Sequence, residues 1–162
     1  AARNGSRTAK RDLVLVKASY LIGARVSEIA RLRWQDIEPL DDGGQVHLLG
    51  KGAKARTVRI SAATLQLIES LGRGEPGAWL FPSNRHDGPL SRQAIAGRMR
   101  HWGQEVDVHL HPHKLRHTHA TQAIRRGVDV FTLQATLGHS SSATTFGYVA
   151  TNPADSSSLK LG

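Results

Sequence analysis

Cysteine is absent from the 162 residues. That excludes disulfide scaffolds, thiolate zinc sites and thiol nucleophiles, and it fits a reducing compartment. Long apolar runs are also missing. The longest are a few residues, against the roughly 18–20 needed to span a bilayer. No basic stretch leads into an apolar signal core. Acidic residues are scarce: 13 Asp and Glu face 22 Lys and Arg, a net charge of +9. Clustered carboxylates of the kind two-metal nucleases need are therefore lacking. What is present suffices for a packed core, since 39% of residues are apolar and 22% charged, so wholesale disorder is not expected. The length suits one domain. A small domain this basic points to a polyanion, nucleic acid first. The chain begins Ala1-Ala2-Arg3 without a Met, which suggests a fragment or a processed product.

Local patterning predicts a mostly helical chain. Residues 1–10 carry Gly5, Ser6 and the basic Arg3, Arg7 and Lys10, and read as a linker stub or arm. Residues 12–22 read as a helix with Leu13, Val16 and Tyr20 on one face, stopped at Gly23. A short helix over about 27–34 would be capped by Ser27, with Ile29 and Leu32 inward. Val46 and Leu48 alternate, as do Val58 and Ile60. Between them lies Gly50-Lys51-Gly52-Ala53-Lys54, so the segment predicts a β-hairpin with a basic tip. Trp79–Pro82 is the candidate third strand. Further helices are expected after Ser61, Ser91, Pro112 and Asp129, with Gly127 and Gly138 as stops and a last helical turn over about 142–149. In the helix after Ser91, Ile95, Met99 and Trp102 are the expected core residues. The serine-rich tail from Thr151 reads as loosely held.

Several residues could carry chemistry. Arg25 sits at a helix start beside free backbone N–H groups, a good place for a phosphate. Lys51 lies between two glycines at the hairpin tip, where the backbone can approach a ligand closely. The phosphate-binding P-loop pattern fails there, because Gly52 follows Lys51 where a Ser or Thr is needed. His113 and Arg116 are three apart at a helix start, so one phosphate could touch both. His109, His111, His113, His117 and His119 are dense, but no acidic residue lies among them and Lys114 and Arg116 would repel a cation. No metal site is expected. Residues 118–137 also have a helix-turn-helix look, which keeps open a non-catalytic DNA-binding module.

Taken together, the motifs match a family. Gly23-Ala24-Arg25-Val26-Ser27-Glu28-Ile29, with Leu32-Arg33-Trp34-Gln35-Asp36-Ile37, resembles the first arginine box of the tyrosine recombinases, the phage integrase and Xer-type family. Gly50 to Arg56 resembles the family's β-hairpin lysine segment. Pro112-His113-Lys114-Leu115-Arg116-His117-Thr118 resembles its His-x-x-Arg box. Leu137-Gly138-His139-Ser140, followed by Thr144-Thr145 and Tyr148, resembles its final box. The resemblance covers about residues 8–150, in the right order.

The resemblance implies an α+β fold, predominantly helical, a helix bundle with a small antiparallel sheet. Residues 1–10 would be the stub or arm, 11–150 the catalytic domain and 151–162 a C-terminal tail. It implies site-specific cleavage and rejoining of double-stranded DNA through a 3′-phosphotyrosyl link. Arg25, Arg116 and His139 would hold the scissile phosphate. His113 would assist proton removal from the nucleophile Tyr148 or donate to the phosphate. Lys51 would protonate the leaving 5′-oxygen, and Glu28 would orient a basic residue. Arg92, Arg98, Arg100, Lys114, Arg125 and Arg126 are candidate DNA-backbone contacts. His119 would be packing or an extra DNA contact. No metal and no nucleotide cofactor are expected, because two arginines can clamp the charge that builds on phosphorus and the phosphotyrosine keeps the bond energy for ligation. A type IB topoisomerase would share this chemistry. The family also implies an N-terminal core-binding domain absent from these residues, a tetramer on paired sites, no membrane, and the cytoplasm of a prokaryotic or phage-host cell.

Overall fold

The computed structural model describes residues 2–138 and 156–162. Helix α1 (Ala2–Ile22) runs from the first described residue, so the stretch expected as an arm forms the opening turns of this helix. Tertiary contacts hold it: Asn84 Nδ2 donates to Thr8 Oγ1 at 3.0 Å, and Arg11 Nη1 donates to Pro82 O at 2.8 Å. The core face of α1 is also rotated from the expected one. Val14, Leu15, Ala18 and Ile22 are buried while Leu13 is half exposed. The stripe continues through Arg11 and Asp12, two charges that conceal its period in the sequence.

Helix α2 (Val26–Ala30) follows, shorter than expected and started by Arg25 rather than Ser27. Glu28 takes the role of capping partner, accepting from the Arg25 backbone N–H at 2.7 Å. A 3₁₀ turn (Trp34–Asp36) leads into β1 (Ile37–Leu40), β2 (Gly43–Leu49) and β3 (Ala55–Ser61), an antiparallel sheet in the order β1-β2-β3. The hairpin β2–β3 pairs Val46 with Val58 and Leu48 with Arg56. The third strand is thus Ile37–Leu40. Trp79 and Pro82 form only isolated bridges, to Arg33 and Pro89. Pro39 is tolerated in β1 because that strand is an edge.

Helix α3 (Ala62–Glu69) is capped by Ser61, whose Oγ accepts from Thr64 N–H at 3.2 Å. Helix α4 (Arg92–Glu105) is capped likewise by Ser91 at 3.0 Å. Helix α5 (Pro112–Arg125) starts on its proline. Helix α6 (Val130–Leu137) is capped by Asp129 and closed by Gly138 in the left-handed conformation, φ +65°. These starts and stops are the ones the sequence predicts. The predominantly helical α+β class with one small antiparallel sheet is borne out. The last helical turn expected over 142–149 lies outside the described residues.

The main core joins α1, α2, the sheet, α3 and α4 through Leu15, Ile29, Ile60, Ile68, Ile95 and Met99. Trp102, expected beside them, is only partly buried. A second cluster of Ala123, Val128, Leu133 and Leu137 fastens α6 to α5. The end of the chain, a 3₁₀ turn over Ser157–Lys160, is not loose. Ser156, Ser157 and Ser158 are buried. Arg59 N–H donates to Ser156 Oγ at 3.0 Å, Ser158 Oγ donates to Arg59 O, and Ser157 N–H donates to Thr136 Oγ1 at 3.2 Å. Small hydroxyls with partners can be buried at low cost. A serine run therefore reads as solvated only while those partners are unknown.

One charged network sits inside this frame. Asp12, almost fully buried, accepts from Arg11 Nη2 at 3.0 Å and from Arg98 Nη1 at 2.7 Å. Removing the carboxylate would leave the buried Arg11 charge with only the neutral acceptors Pro82 O and Asn84 Oδ1. Asp12→Ala is expected to lower unfolding stability by about 3 kcal/mol. Arg98→Ala, at the more exposed end, should cost under about 1 kcal/mol. Urea denaturation of the two variants checks this, and equal losses would contradict it.

Candidate functional site

The local sequence explains how the first arginine is placed. Gly23 adopts φ +69°, and a Cβ there would lie 2.9 Å from His119 Cδ2. The chain can therefore turn sharply from α1 into α2 only with glycine at this point. The turn leaves Arg25 at the N-cap of α2, its side chain 42% exposed, with Glu28 one turn later and fully buried.

Glu28 is the hub. Arg25 Nη1 donates to Glu28 Oε1 at 3.3 Å. From the hairpin, Arg56 takes both oxygens: Nη1 donates to Oε1, and Nη2 donates to Oε2 at 3.0 Å. A Cβ at Gly50, at the end of β2, would lie 3.4 Å from Glu28 Oε1, so the base of the hairpin rests on the same carboxylate. Burial alone would push the Glu28 carboxyl up. The hydrogen bonds from Arg56 and the Arg25 backbone, with the two positive charges, outweigh it and hold the group below the usual carboxylate range.

A second convergence lies at the end of α6. A helix leaves its last carbonyls without partners and carries partial negative charge there. Here arginines from three separate elements meet those carbonyls. Arg56 Nε donates to Thr136 O at 2.8 Å, Arg116 Nη2 to Leu137 O at 2.6 Å, and Arg25 Nη2 to Gly138 O at 3.1 Å. Arg116 Nη1 also donates to Gly23 O at 2.7 Å, tying α5 to the α1–α2 turn. Of the three guanidiniums, Arg25 and Arg56 bond the Glu28 carboxylate, whereas Arg116 bonds the two backbone carbonyls of Gly23 and Leu137. Burial and the neighbouring Arg25 and Arg56 charges push the Arg116 pKa down to about 10, with Glu28 opposing the shift. Arg116 remains charged at neutral pH, and an added anion would relieve the crowding of positive charge.

The structure brings Arg25, Glu28 and Arg116 together. His113 sits exposed in the first turn of α5, its ring stacked on His111 at 6.4 Å. Lys51 is exposed in the 3₁₀ turn at the hairpin tip. His139 and Tyr148 lie outside the described residues. The candidate backbone contacts Arg92, Arg100, Lys114 and Arg125 are exposed. Arg126 is exposed and donates to Lys160 O, whereas Arg98 is held by Asp12. Among the described residues, no group of three or more His, Asp or Glu is arranged to hold a metal ion.

Arg56 is the site residue that the motifs do not single out. Its signal was the strand period: Arg56 is in phase with the buried Val58 and Ile60 and pairs with the buried Leu48. A charge on the core face of a strand demands a buried partner.

His119 resolves to packing. It is fully buried, and its Nδ1 lies 2.7 Å from Tyr20 O, which fixes Nδ1 as the protonated nitrogen. Nε2 then accepts from Ser157 Oγ at 2.6 Å. Burial depresses its pKa to about 4; the bond to Tyr20 O opposes the shift and the Arg116 charge adds to it. In the unfolded chain a histidine titrates near 6.5. The folded pKa is the lower one, so the contribution is complete above about pH 6.5 and is lost as pH falls towards 4. Its full size is about 3 kcal/mol. Stability of His119→Gln should fall less steeply than that of the parent between pH 6.5 and 4, as read by urea midpoints. Parallel curves would contradict the assignment.

Comparison with known proteins follows the same lines. The sequence profile of the phage integrase family matches residues 1–155. The tyrosine recombinase XerC of Haemophilus ducreyi is 37% identical over 149 residues, covering 83% of this chain and 46% of that protein. The tyrosine recombinase XerA of Thermococcus kodakarensis is 37% identical over 142 residues, covering 85% of this chain and 50% of that protein. A solved XerA recombinase superposes with a TM-score of 0.71 at 27% identity, over 85% of this chain and 50% of that one. The chain thus spans about half the length of the curated relatives it matches.

Proposed function

The chain belongs to the phage integrase family, and from that premise we propose that it cleaves and rejoins duplex DNA at specific sites through a tyrosine nucleophile. The observation that carries the reading is the convergence of Arg25 and Arg116 on the Gly138 and Leu137 carbonyls, directly before His139 in the sequence. Two planar guanidiniums from different elements form a fork suited to the two non-bridging oxygens of one phosphodiester.

The residues divide the work as follows. The Tyr148 phenolic oxygen attacks phosphorus in line, and the P–O5′ bond breaks. The phenol proton passes to His113, because a tyrosine with an ordinary pKa near 10 needs a base at neutral pH. Arg25, Arg116 and His139 hold the charge that grows on the phosphate. Lys51 gives its proton to the departing 5′-oxygen, a step that suits its placement on an exposed, glycine-flanked tip. The product is a 3′-phosphotyrosyl link, and attack by another 5′-hydroxyl reverses the exchange without ATP. Arg92, Arg100, Lys114, Arg125 and Arg126 contribute backbone contacts along the duplex, and copies assemble as a tetramer on paired sites. The relatives' greater length is consistent with a core-binding domain elsewhere in the whole protein. Among the described residues no helix is long and apolar enough to cross a membrane.

The test is covalent capture. Nicked duplexes randomised across the core are incubated with the chain in EDTA, and SDS-resistant adducts are collected and sequenced. A 3′-linked adduct that disappears in Tyr148→Phe is expected. No adduct from the pool would contradict the reading. Lys51→Ala should slow adduct formation by about 10²–10⁴-fold. A bridging 5′-sulfur, whose thiolate leaves without a proton, should restore most of that loss. Failure to restore it would remove Lys51 as the acid.

A further inference from the structure

Arg25 and Arg56 compete for one carboxylate, and they do so unequally. Arg56 binds Glu28 through both terminal nitrogens and still places Nε on Thr136 O at 2.8 Å. Its side chain is only 13% exposed. Arg25 reaches a single Glu28 oxygen at 3.3 Å and keeps a side chain that is 42% exposed. Left alone with Glu28, a guanidinium would form the same two-pronged pair that Arg56 makes. Because Arg56 already takes both oxygens, Arg25 spends one N–H on Glu28 and one on Gly138 O, and its remaining N–H groups are left for an incoming anion.

We propose that Arg56 is a positioning residue for strand transfer: by engaging both oxygens of Glu28 and the Thr136 carbonyl, it keeps Arg25 free for the scissile phosphate. The proposal rests on the transesterase reading above and adds a residue to it. Arg56 does not touch the phosphate in this account. It acts through Glu28 on Arg25, and through Thr136 on the end of α6 that leads to His139. A Cβ at Gly138 would lie 2.9 Å from Arg56 Cδ, so the α6 terminus is seated directly against this side chain. Lysine cannot replace it, since one ammonium on a flexible stem cannot span both carboxylate oxygens and a carbonyl. A purely structural ion pair would predict something different, namely that activity follows stability and that any cation serves.

The experiment measures the adduct-forming rate at saturating DNA, using the nicked duplex recovered from the capture pool. DNA affinity and melting temperature are measured in parallel, and all rates are taken well below the melting transition. Arg56→Gln is expected to lose about 100-fold in rate, the scale on which small misplacements of reacting groups act. DNA affinity should change less than about threefold. Arg56→Lys keeps the buried charge balanced, so it should stay folded yet lose at least about tenfold in rate. The Arg56→Gln/Glu28→Gln double variant should be at least about tenfold faster than Arg56→Gln alone, because no carboxylate then recaptures Arg25. Should Arg56→Gln fail to fold, Arg56→Lys carries the test. An Arg56→Lys rate within about threefold of the parent would overturn the proposal, as would a double variant no faster than the folded single one. If the parent itself gives no Tyr148-dependent adduct, the transesterase reading falls and this inference with it. If the parent reacts and Arg56→Lys matches it, the inference alone falls.

Discussion

A buried carboxylate with too many cations around it governs this structure. Glu28 is sealed from solvent, and an isolated charge there would be costly. The cost is met by Arg56 from the hairpin and by Arg25 from the start of its own helix. Those bonds fix where the sheet sits against α2. The surplus positive charge is spread over the carbonyls at the end of α6, which bear partial negative charge. Elements far apart in the chain are thereby drawn to one point: the α1–α2 turn, the β2–β3 hairpin, α5 and the end of α6. The hydrophobic core brings them near one another. The guanidinium network sets their mutual orientation.

This arrangement also accounts for the chemistry proposed for the family member. Three guanidiniums with one carboxylate leave an excess of positive charge at a site lined by fixed donors. Such a site binds an anion with little reorganisation.

Much of this is legible in the residues alone. Helix starts at Ser61, Ser91, Pro112 and Asp129 were readable because each supplies its own cap or preset dihedral. The stop at Gly138 was readable because only glycine takes its φ cheaply. What failed to show in the sequence depended on distant partners. The first turns of α1 look like a linker until Asn84 is known to bond Thr8. Strand β1 hides behind Pro39, and its pairing with β2 makes an edge that can accept a proline. The buried serines at 156–158 look solvated until Arg59, Thr136 and His119 are known to meet them. The family motifs name Arg25, Glu28 and Arg116, but not Arg56, which pairs with Glu28. The period-two phase of Arg56 with Val58 and Ile60 contained that information, but its partner lies on another element, 28 residues earlier.

The most direct test of the Glu28 hub is an arginine side-chain NMR titration. The Tyr148→Phe chain, labelled at the guanidinium nitrogens, is titrated with the captured nicked duplex. The account predicts slowly exchanging Arg56 N–H signals that stay in place, while those of Arg25 and Arg116 shift as the phosphate binds. Arg56 signals that move as far as those of Arg25, or Arg25 and Arg116 signals unmoved at saturating DNA, would contradict it.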